Sequence, residues 1–392
     1  MVRLSYLGRC SYFLDVQLTV GQHLELQIED VAFGGEGVGR HQGCVVFTPF
    51  VDIGEEVEVE IVEVKSSYAR AVPITIKQPS VHRVQPVCPY FGSCGGCQYQ
   101  HLKYERQLEL KHKQVRDLLM KIGKLSDVQV RPVLPSPEQF GYRIKIMVRA
   151  RYDRNAQKWR IGFLHLDNRT VVDLEECKLV RPEINSQLAE LRSGPPPKRN
   201  GVKFVLRIPP PGWEVPPDSF FQNNLVALPL LIDTVRKFHR AAGTRYLIDV
   251  YCGVGLFGIE LANQVESFLG IEIDRRAIAA AIKNAAARNV ANGTFIAGPA
   301  EALLQEYISK FTPRETTVIV DPPRVGCLPG TLQAIRDAKP AQVIYVSCNP
   351  STLARDLTML CQDGLYRVEC VQPIDMFPQT KHIETVSDLR LN

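Results

Sequence analysis

One cysteine near the end of the chain stands where its thiol could react. Cys348 lies in Ser347-Cys348-Asn349-Pro350, directly after the apolar run Gln342-Val343-Ile344-Tyr345-Val346. A short apolar run closed by an Asn-Pro turn reads as a buried strand, so this cysteine sits at a strand end. A second run, Thr317-Val318-Ile319-Val320, stops in the same way at Asp321-Pro322-Pro323-Arg324. Its prolines fix the backbone and remove amide donors, so Asp321 projects from a rigid turn. That suits a group gripping a planar base or the reacting end of a cofactor. A thiol in such a crevice has a specific use on a pyrimidine. Carbon 5 of uracil is a poor nucleophile until a thiolate adds at carbon 6 and turns the ring into an enolate. Carbon 5 can then attack a sulfonium methyl. Its proton must leave before the thiolate is expelled, which needs a general base. Glu384, in His382-Ile383-Glu384 after the strand-like segment 366–374, is the candidate.

A second constellation is Cys88-x5-Cys94-x2-Cys97, three thiols around Gly95-Gly96. Three soft ligands call for a fourth, and the residue types allow zinc or an iron–sulfur cluster, zinc being the commoner. A third is the run Tyr251-Cys252-Gly253-Val254-Gly255-Leu256-Phe257-Gly258 after the strand Tyr246–Val250. Its glycines let a backbone approach a nucleotide-like ligand. The next strand ends at Glu272, whose carboxylate could accept hydrogen bonds from both hydroxyls of a ribose. This loop matches the dinucleotide fingerprint and alone does not separate NAD from S-adenosylmethionine.

The elements that must hold these groups follow from periodicity. From about 225 onward, helix candidates at 225–240, 275–289, 300–310, 330–338 and 351–362 alternate with strand candidates at 246–250, 268–272, 317–320 and 342–347. That order implies an open parallel sheet with helices on both faces and ligands beyond the carboxyl ends of its strands. From about 21 to 72 the pattern is all β, with alternation in Leu24–Ile28 and Val57–Val64 and glycine turns between, as in a small barrel. Residues 102–122 read as a helix with Leu108, Val115, Leu118, Leu119 and Ile122 on one face and Lys103, Arg106, Lys111, Lys113, Arg116 and Lys121 around it. The basic face is either solvated or turned to phosphates. Residues 1–17 show no clear periodicity. Proline clusters at 195–197, 209–211 and 216–217 forbid a long helix and suggest a boundary near 212–218.

Composition bounds the rest. A chain of 392 residues implies two or three domains. A net charge of +5 argues against a purely electrostatic nucleic-acid binder without excluding a basic face. Eleven cysteines, an odd number, do not read as a disulfide framework. No apolar run approaches the roughly 20 residues needed to span a bilayer, and the first residues lack a signal-peptide core. The expectation is a cytoplasmic protein without membrane contact.

Taken in order, Ser219-Phe220-Phe221-Gln222-Asn223-Asn224, Asp249-Val250-Tyr251-Cys252-Gly253-Val254-Gly255, Asp321–Arg324, Ser347–Pro350 and Met376-Phe377-Pro378 with His382-Ile383-Glu384 resemble the uracil-5 RNA methyltransferases of bacteria and archaea. The resemblance runs from about residue 15 to the end. It implies that Gln222, Tyr251, Glu272 and Asp321 bind S-adenosylmethionine, that Cys348 is the nucleophile and that Glu384 is the base. It favours a [4Fe–4S] cluster on Cys88, Cys94, Cys97 and a distant fourth cysteine, the position that Cys177 matches. It departs at Gly298-Pro299-Ala300-Glu301, where many members carry a polar side chain toward the adenine; Pro299 cannot make that bond. The segment Phe33–Arg40 resembles a TRAM domain, a small RNA-binding barrel. The expected organisation is a TRAM barrel over 14–76, a central α+β iron–sulfur domain over 77–215 and an α/β Rossmann-like methyltransferase domain over 216–392. The expected partner is structured RNA, 23S ribosomal RNA ahead of the T-loop of transfer RNA, bound by a monomer. An NAD-dependent oxidoreductase with an electron-transfer cluster is the alternative of another class; it leaves Asp321 and Cys348 without a role.

Overall fold

A computed structural model describes residues 18–195 and 199–392. The aperiodic reading of 1–17, the first residues of the expected TRAM barrel, and Pro196 and Pro197 lie outside them. The chain forms two compact units, one of the residues through Gln85 with His101–Lys103, the other of Pro86–Gln100 with Tyr104–Asn392.

The first unit is built from six strands: β1 His23–Gln27, β2 Asp30–Val31, β3 Glu36–His41, β4 Cys44–Pro49, β5 Glu56–Val64 and β6 Tyr68–Gln78. They pair in the order β1-β5-β6-β4-β3-β2. The expected alternation holds: Leu24 and Leu26 of β1 and Val57, Val59 and Ile61 of β5 are buried on one face. Glu29 donates its backbone N–H to the Val38 carbonyl at 2.8 Å, which brings the end of β1 against β3 and curls the sheet toward a barrel. Gly39 permits that approach, because a Cβ there would lie 2.9 Å from the Gln27 carbonyl.

The second unit opens with the cysteine segment and α1 Tyr104–Lys121. A three-stranded antiparallel sheet follows, β7 Lys145–Asp153 flanked by β8 Lys158–Gly162 and β9 Val202–Arg207, with α2 Pro182–Ser193 in the intervening chain. Its inner face, Ile146, Val148 and Ala150, packs with Ile161, Leu174, Cys177, Ile184 and Leu188. Then come α3 Leu228–Ala242, β10 Tyr246–Val250, α4 Leu256–Leu261, β11 Ser267–Glu272, α5 Arg275–Ala287, β12 Gly293–Ala297, α6 Ala300–Tyr307, β13 Thr316–Val320, α7 Pro329–Ala338, β14 Gln342–Ser347, α8 Pro350–Cys361, β15 Tyr366–Ile374 and β16 Glu384–Leu391. The seven-stranded sheet has the order β12-β11-β10-β13-β14-β16-β15.

The first five strands of that order are parallel, as the alternating pattern requires. The sheet is nevertheless mixed, not wholly parallel as the sequence suggests. The chain returns from β15 within residues 375–383, too few for a parallel crossover, so β16 runs antiparallel to β15 and slots between it and β14. The direction matters for chemistry. Parallel strands present their last residues at the carboxyl edge, whereas β16 presents its first, Glu384.

Helix α1 also departs from expectation. Its most buried side chains include Tyr104, Gln107, Lys111 and Gln114, while Ile122 is exposed. Lys111, counted above among the outward cations, is wholly buried and donates to Asp375 at 2.7 Å. Lys113 pairs with Asp117 and Arg106 with Glu109. Helical spacing does place these residues on common faces; what decides the burial of the polar one is a partner loop far along the chain. Among the described residues no helix is long and apolar enough to cross a membrane.

Candidate active site

Three turns at the carboxyl edge of the large sheet come together. The β14–β16 register sets Ser347 opposite Thr385, and Thr385 Oγ1 donates to the Ser347 carbonyl at 3.0 Å. One step further along each strand stand Cys348 and Glu384, so the two leave the ladder side by side. Asn349 caps α8: its Oδ1 accepts from Ser351 N at 3.1 Å, with Pro350 in the first helical turn. That is the physical reason for the Asn-Pro pair. The same Asn349 donates from Nδ2 to the Arg324 carbonyl at 3.0 Å, and Thr352 Oγ1 donates to it at 3.3 Å. The turn bearing Asp321 is thereby tied to the turn bearing Cys348.

The grouping sets the charge states of these side chains. Burial, then the Glu384 and Asp321 charges, push the Cys348 thiol up to about 12 against the opposing Arg324. Glu384 is buried, and burial followed by the Asp321 charge holds its carboxyl well above the usual range, again against Arg324. Asp321 is raised to about 7 by burial and then by Asp249. Two carboxyls in one dry pocket cannot both ionise cheaply. A cationic ligand placed between them would lower both. Arg324, which belongs to a motif noticed in the sequence but received no role there, is the cation that opposes the rise of Cys348 and Glu384. His382 was also passed over. It sits with Nε2 3.4 Å from Arg324 Nη2, and burial and Arg324 hold its imidazole down to about 3, hence neutral.

The glycine loop lies at the ends of β10 and β11. Tyr251 adopts φ +65, rare for a non-glycine residue and costly by roughly 1–3 kcal/mol. Its hydroxyl is 3.1 Å from Thr331 Oγ1. Gly255 is required at φ +88, where a Cβ would also meet Ile259 and Phe295 at 2.9–3.0 Å. Glu272 is oriented by backbone amides: Oε2 accepts from Gly253 N at 3.1 Å and Oε1 from Asp274 N at 2.9 Å. A carboxylate oxygen has two lone-pair sites, so each keeps one for a hydroxyl donor. Gln222 is buried on a strap pinned at both ends. Ser219 Oγ donates to Asp274 Oδ2 at 2.7 Å, and Asn224 Nδ2 donates to the Met376 carbonyl at 3.2 Å. The strap thus joins the Glu272 end of the crevice to the loop that precedes Glu384.

The four cysteines Cys88, Cys94, Cys97 and Cys177 line one pocket with Tyr90, Phe91 and Phe163. Burial first, and the neighbouring thiols after it, raise Cys94 to about 11 and Cys97 to about 12 against Arg143 and the hydrogen bonds described next. Gly96 N and Gln100 Nε2 point N–H donors at Cys94 Sγ (3.4 Å) and Cys97 Sγ (3.2 Å). Among the described residues no three cysteine side chains converge on a point suited to a single metal ion.

Comparison with known proteins puts this geometry in context. The family model for tRNA (uracil-5-)-methyltransferases matches residues 212–390, and that for the TRAM domain matches 17–74. The chain is 30% identical to an uncharacterized RNA methyltransferase of Thermosynechococcus vestitus over 94% of this chain and 98% of the relative. It is 32% identical to one from Halalkalibacterium halodurans over 94% and 97%. The crystal structure of Pyrococcus abyssi tRNA (uracil-54, C5)-methyltransferase in complex with S-adenosyl-L-homocysteine superposes with a TM-score of 0.67 at 26% identity, covering 93% of this chain and 99% of that one.

Proposed function

The chain belongs to the tRNA (uracil-5-)-methyltransferase family of RNA methyltransferases, and we propose that it methylates carbon 5 of a uridine in structured RNA, with Cys348 as nucleophile and Glu384 as base. The observation that carries this reading is the convergence of Cys348, Glu384 and Asp321 at one sheet edge, beside a glycine loop and an oriented Glu272. S-adenosylmethionine, bound along Gln222, Tyr251, Glu272 and Asp321, would supply an electrophilic methyl and a positive sulfonium. Once its thiol proton has passed to solvent, the Cys348 sulfur bonds to carbon 6 and the ring electrons move toward carbon 5, which would take the methyl as the bond between methyl and sulfonium breaks and a neutral thioether leaves. Glu384 then removes the carbon 5 proton, the carbon 5–carbon 6 double bond returns, and the bond to sulfur breaks. Burial serves the steps in turn: it keeps the thiol from idle reaction with solvent and strengthens Glu384 as a base.

RNA recognition is supported by the outer face of the β7–β9 sheet. Its register sets Lys145 opposite Arg207, Arg149 opposite Lys203, and Arg151 opposite Arg160. Like charges directly opposed destabilise a sheet, and among the described residues Lys145, Arg149 and Lys203 make no ion pair. Arg207 Nη1 donates to the Pro216 carbonyl at 3.0 Å, so this cationic row begins at the Gln222 strap. Phosphates laid along it would relieve the repulsion, and their contacts would offset the roughly few kcal/mol needed to unstack the target base.

Cys88, Cys94, Cys97 and Cys177 line one pocket, and their four soft donors would hold a [4Fe–4S] cluster as a structural element. Ribosomal RNA is our first reading of the substrate, from the pairing of a TRAM domain with the cysteine pocket. The likeness to an archaeal tRNA enzyme over nearly its whole length is the observation behind a transfer-RNA reading. Mapping 5-methyluridine in total RNA with and without the gene separates the two. The mechanism is tested with 5-fluorouridine RNA, whose fluorine cannot leave as a proton. Wild type should form a covalent adduct that survives denaturation, and Cys348→Ala should form none; a wild type that forms none removes the thiol mechanism.

A further inference from the structure

Glu384 ends a segment, 375–383, that has no regular secondary structure of its own, and yet the base it delivers must be placed to within a fraction of an ångström. Its middle is held by an unusual clamp. Gln379 is buried at φ +69, a conformation that side chains rarely adopt. Its backbone N–H donates to Gln107 Oε1 at 3.1 Å, and its side-chain Oε1 accepts from Gln107 Nε2 at 2.9 Å. One amide of helix α1 thus grips both the main chain and the side chain of the same residue. The Gln379 carbonyl accepts two further amides, Gln98 N at 3.0 Å and Tyr99 N at 3.1 Å. Gln98 Oε1 accepts from Lys381 N at 3.0 Å, only three residues before Glu384.

Apolar packing would have sufficed to bury this segment. A network of hydrogen bonds instead specifies one conformation, and here it specifies one with Gln379 at φ +69. The other catalytic group does not depend on it: Cys348 is set by β14, the Asn349 cap and the tie to Arg324. The two groups act at different stages, the thiol at the start and the base after methyl transfer.

We infer that Gln107, with Gln98, is a positioning residue for the base, so that the α1 clamp governs release of the methylated RNA without governing its capture. This rests on the mechanism proposed above. Gln107→Leu keeps the volume and removes both hydrogen bonds. With ordinary uridine RNA, its rate of covalent adduct formation should match wild type within about twofold. A misplaced catalytic group costs up to about 100-fold, so breakdown of the adduct should slow by roughly 10–100-fold and the adduct should accumulate on denaturing gels. Gln379→Gly is the second probe; glycine accepts φ +69, keeps the backbone bonds and loses the side-chain one. It should slow breakdown in the same direction, and its effect should not add to that of Gln107→Leu, because the one hydrogen bond it removes is among the two that Gln107→Leu removes. If Gln107→Leu does not fold, Gln379→Gly carries the test alone. Breakdown at the wild-type rate, or formation and breakdown slowed equally, would overturn the inference. A wild type that forms no adduct with 5-fluorouridine RNA would overturn the mechanism beneath it, and the inference with it.

Discussion

The buried pair Lys111–Asp375 offers the sharpest test of how the second unit is held together. Both side chains are 0% exposed, with Nζ to Oδ1 at 2.7 Å. Lys111 also donates to the Phe377 carbonyl at 3.1 Å, and Asp375 Oδ1 also accepts from Phe377 N at 3.1 Å. Burial pulls the Lys111 ammonium down from its ordinary value while Asp375 pulls it up, and burial prevails. Lys111→Met keeps the length of the side chain and leaves the carboxylate in a dry site with the Phe377 amide and the Tyr104 hydroxyl but without its ammonium. Breaking a buried pair from one side costs about 3–5 kcal/mol, a large share of the roughly 5–15 kcal/mol by which domains are stable. The double variant Lys111→Met/Asp375→Asn removes both charges and keeps an acceptor for Phe377 N. It should recover to within about 1–2 kcal/mol of wild type, since the desolvation of both ions disappears with their attraction. Equilibrium urea unfolding followed by tryptophan fluorescence measures this well, because both tryptophans, Trp159 and Trp213, lie in the unit that contains the pair. A single variant less than about 1 kcal/mol weaker than wild type, or a double variant no better than the single, would refute the reasoning.

Further outcomes follow from the same geometry. Asp321→Asn removes a charge that, after burial, raises Glu384; the base then ionises at lower pH, so the acid limb of adduct breakdown should move to lower pH, and an unmoved or raised limb contradicts the coupling. Arg149→Ala/Lys203→Ala should weaken RNA binding and flatten the plot of log affinity against log salt by about 1.4–1.8, leaving single-turnover methylation at saturating RNA unchanged; an unaltered slope would rule out phosphate contacts on that sheet face. Cys94→Ser, purified anaerobically, should lose the brown colour and iron of the parent and unfold at lower urea; a colourless wild type holding zinc would show that the cluster assignment is mistaken.

Much of the candidate site could be read along the chain because turn chemistry is local. Asp321-Pro322-Pro323 and Cys348-Asn349-Pro350 follow apolar strands and announce strand ends, and the structure puts both at the carboxyl edge of the sheet. The glycine loop and Glu272 were legible for the same reason. Lys111 was not. Helical periodicity put it among five other cations around α1, and only Asp375, 264 residues away, draws it inside. Gln107 was missed similarly, although Tyr104, Gln107, Lys111 and Gln114 at spacings of three and four were a visible polar stripe.

Residue types, strand ends and the order of motifs were determined by the sequence itself, since each rests on neighbours a few bonds apart. The state of the reactive groups was not. Glu384 in isolation is an ordinary glutamate and Cys348 an ordinary cysteine. The reversed direction of β16 brings them to one edge, and there burial and shared charge displace both of their proton affinities. Desolvation and Coulomb energies depend on distance through space and on excluded water, and neither exists until the chain has folded.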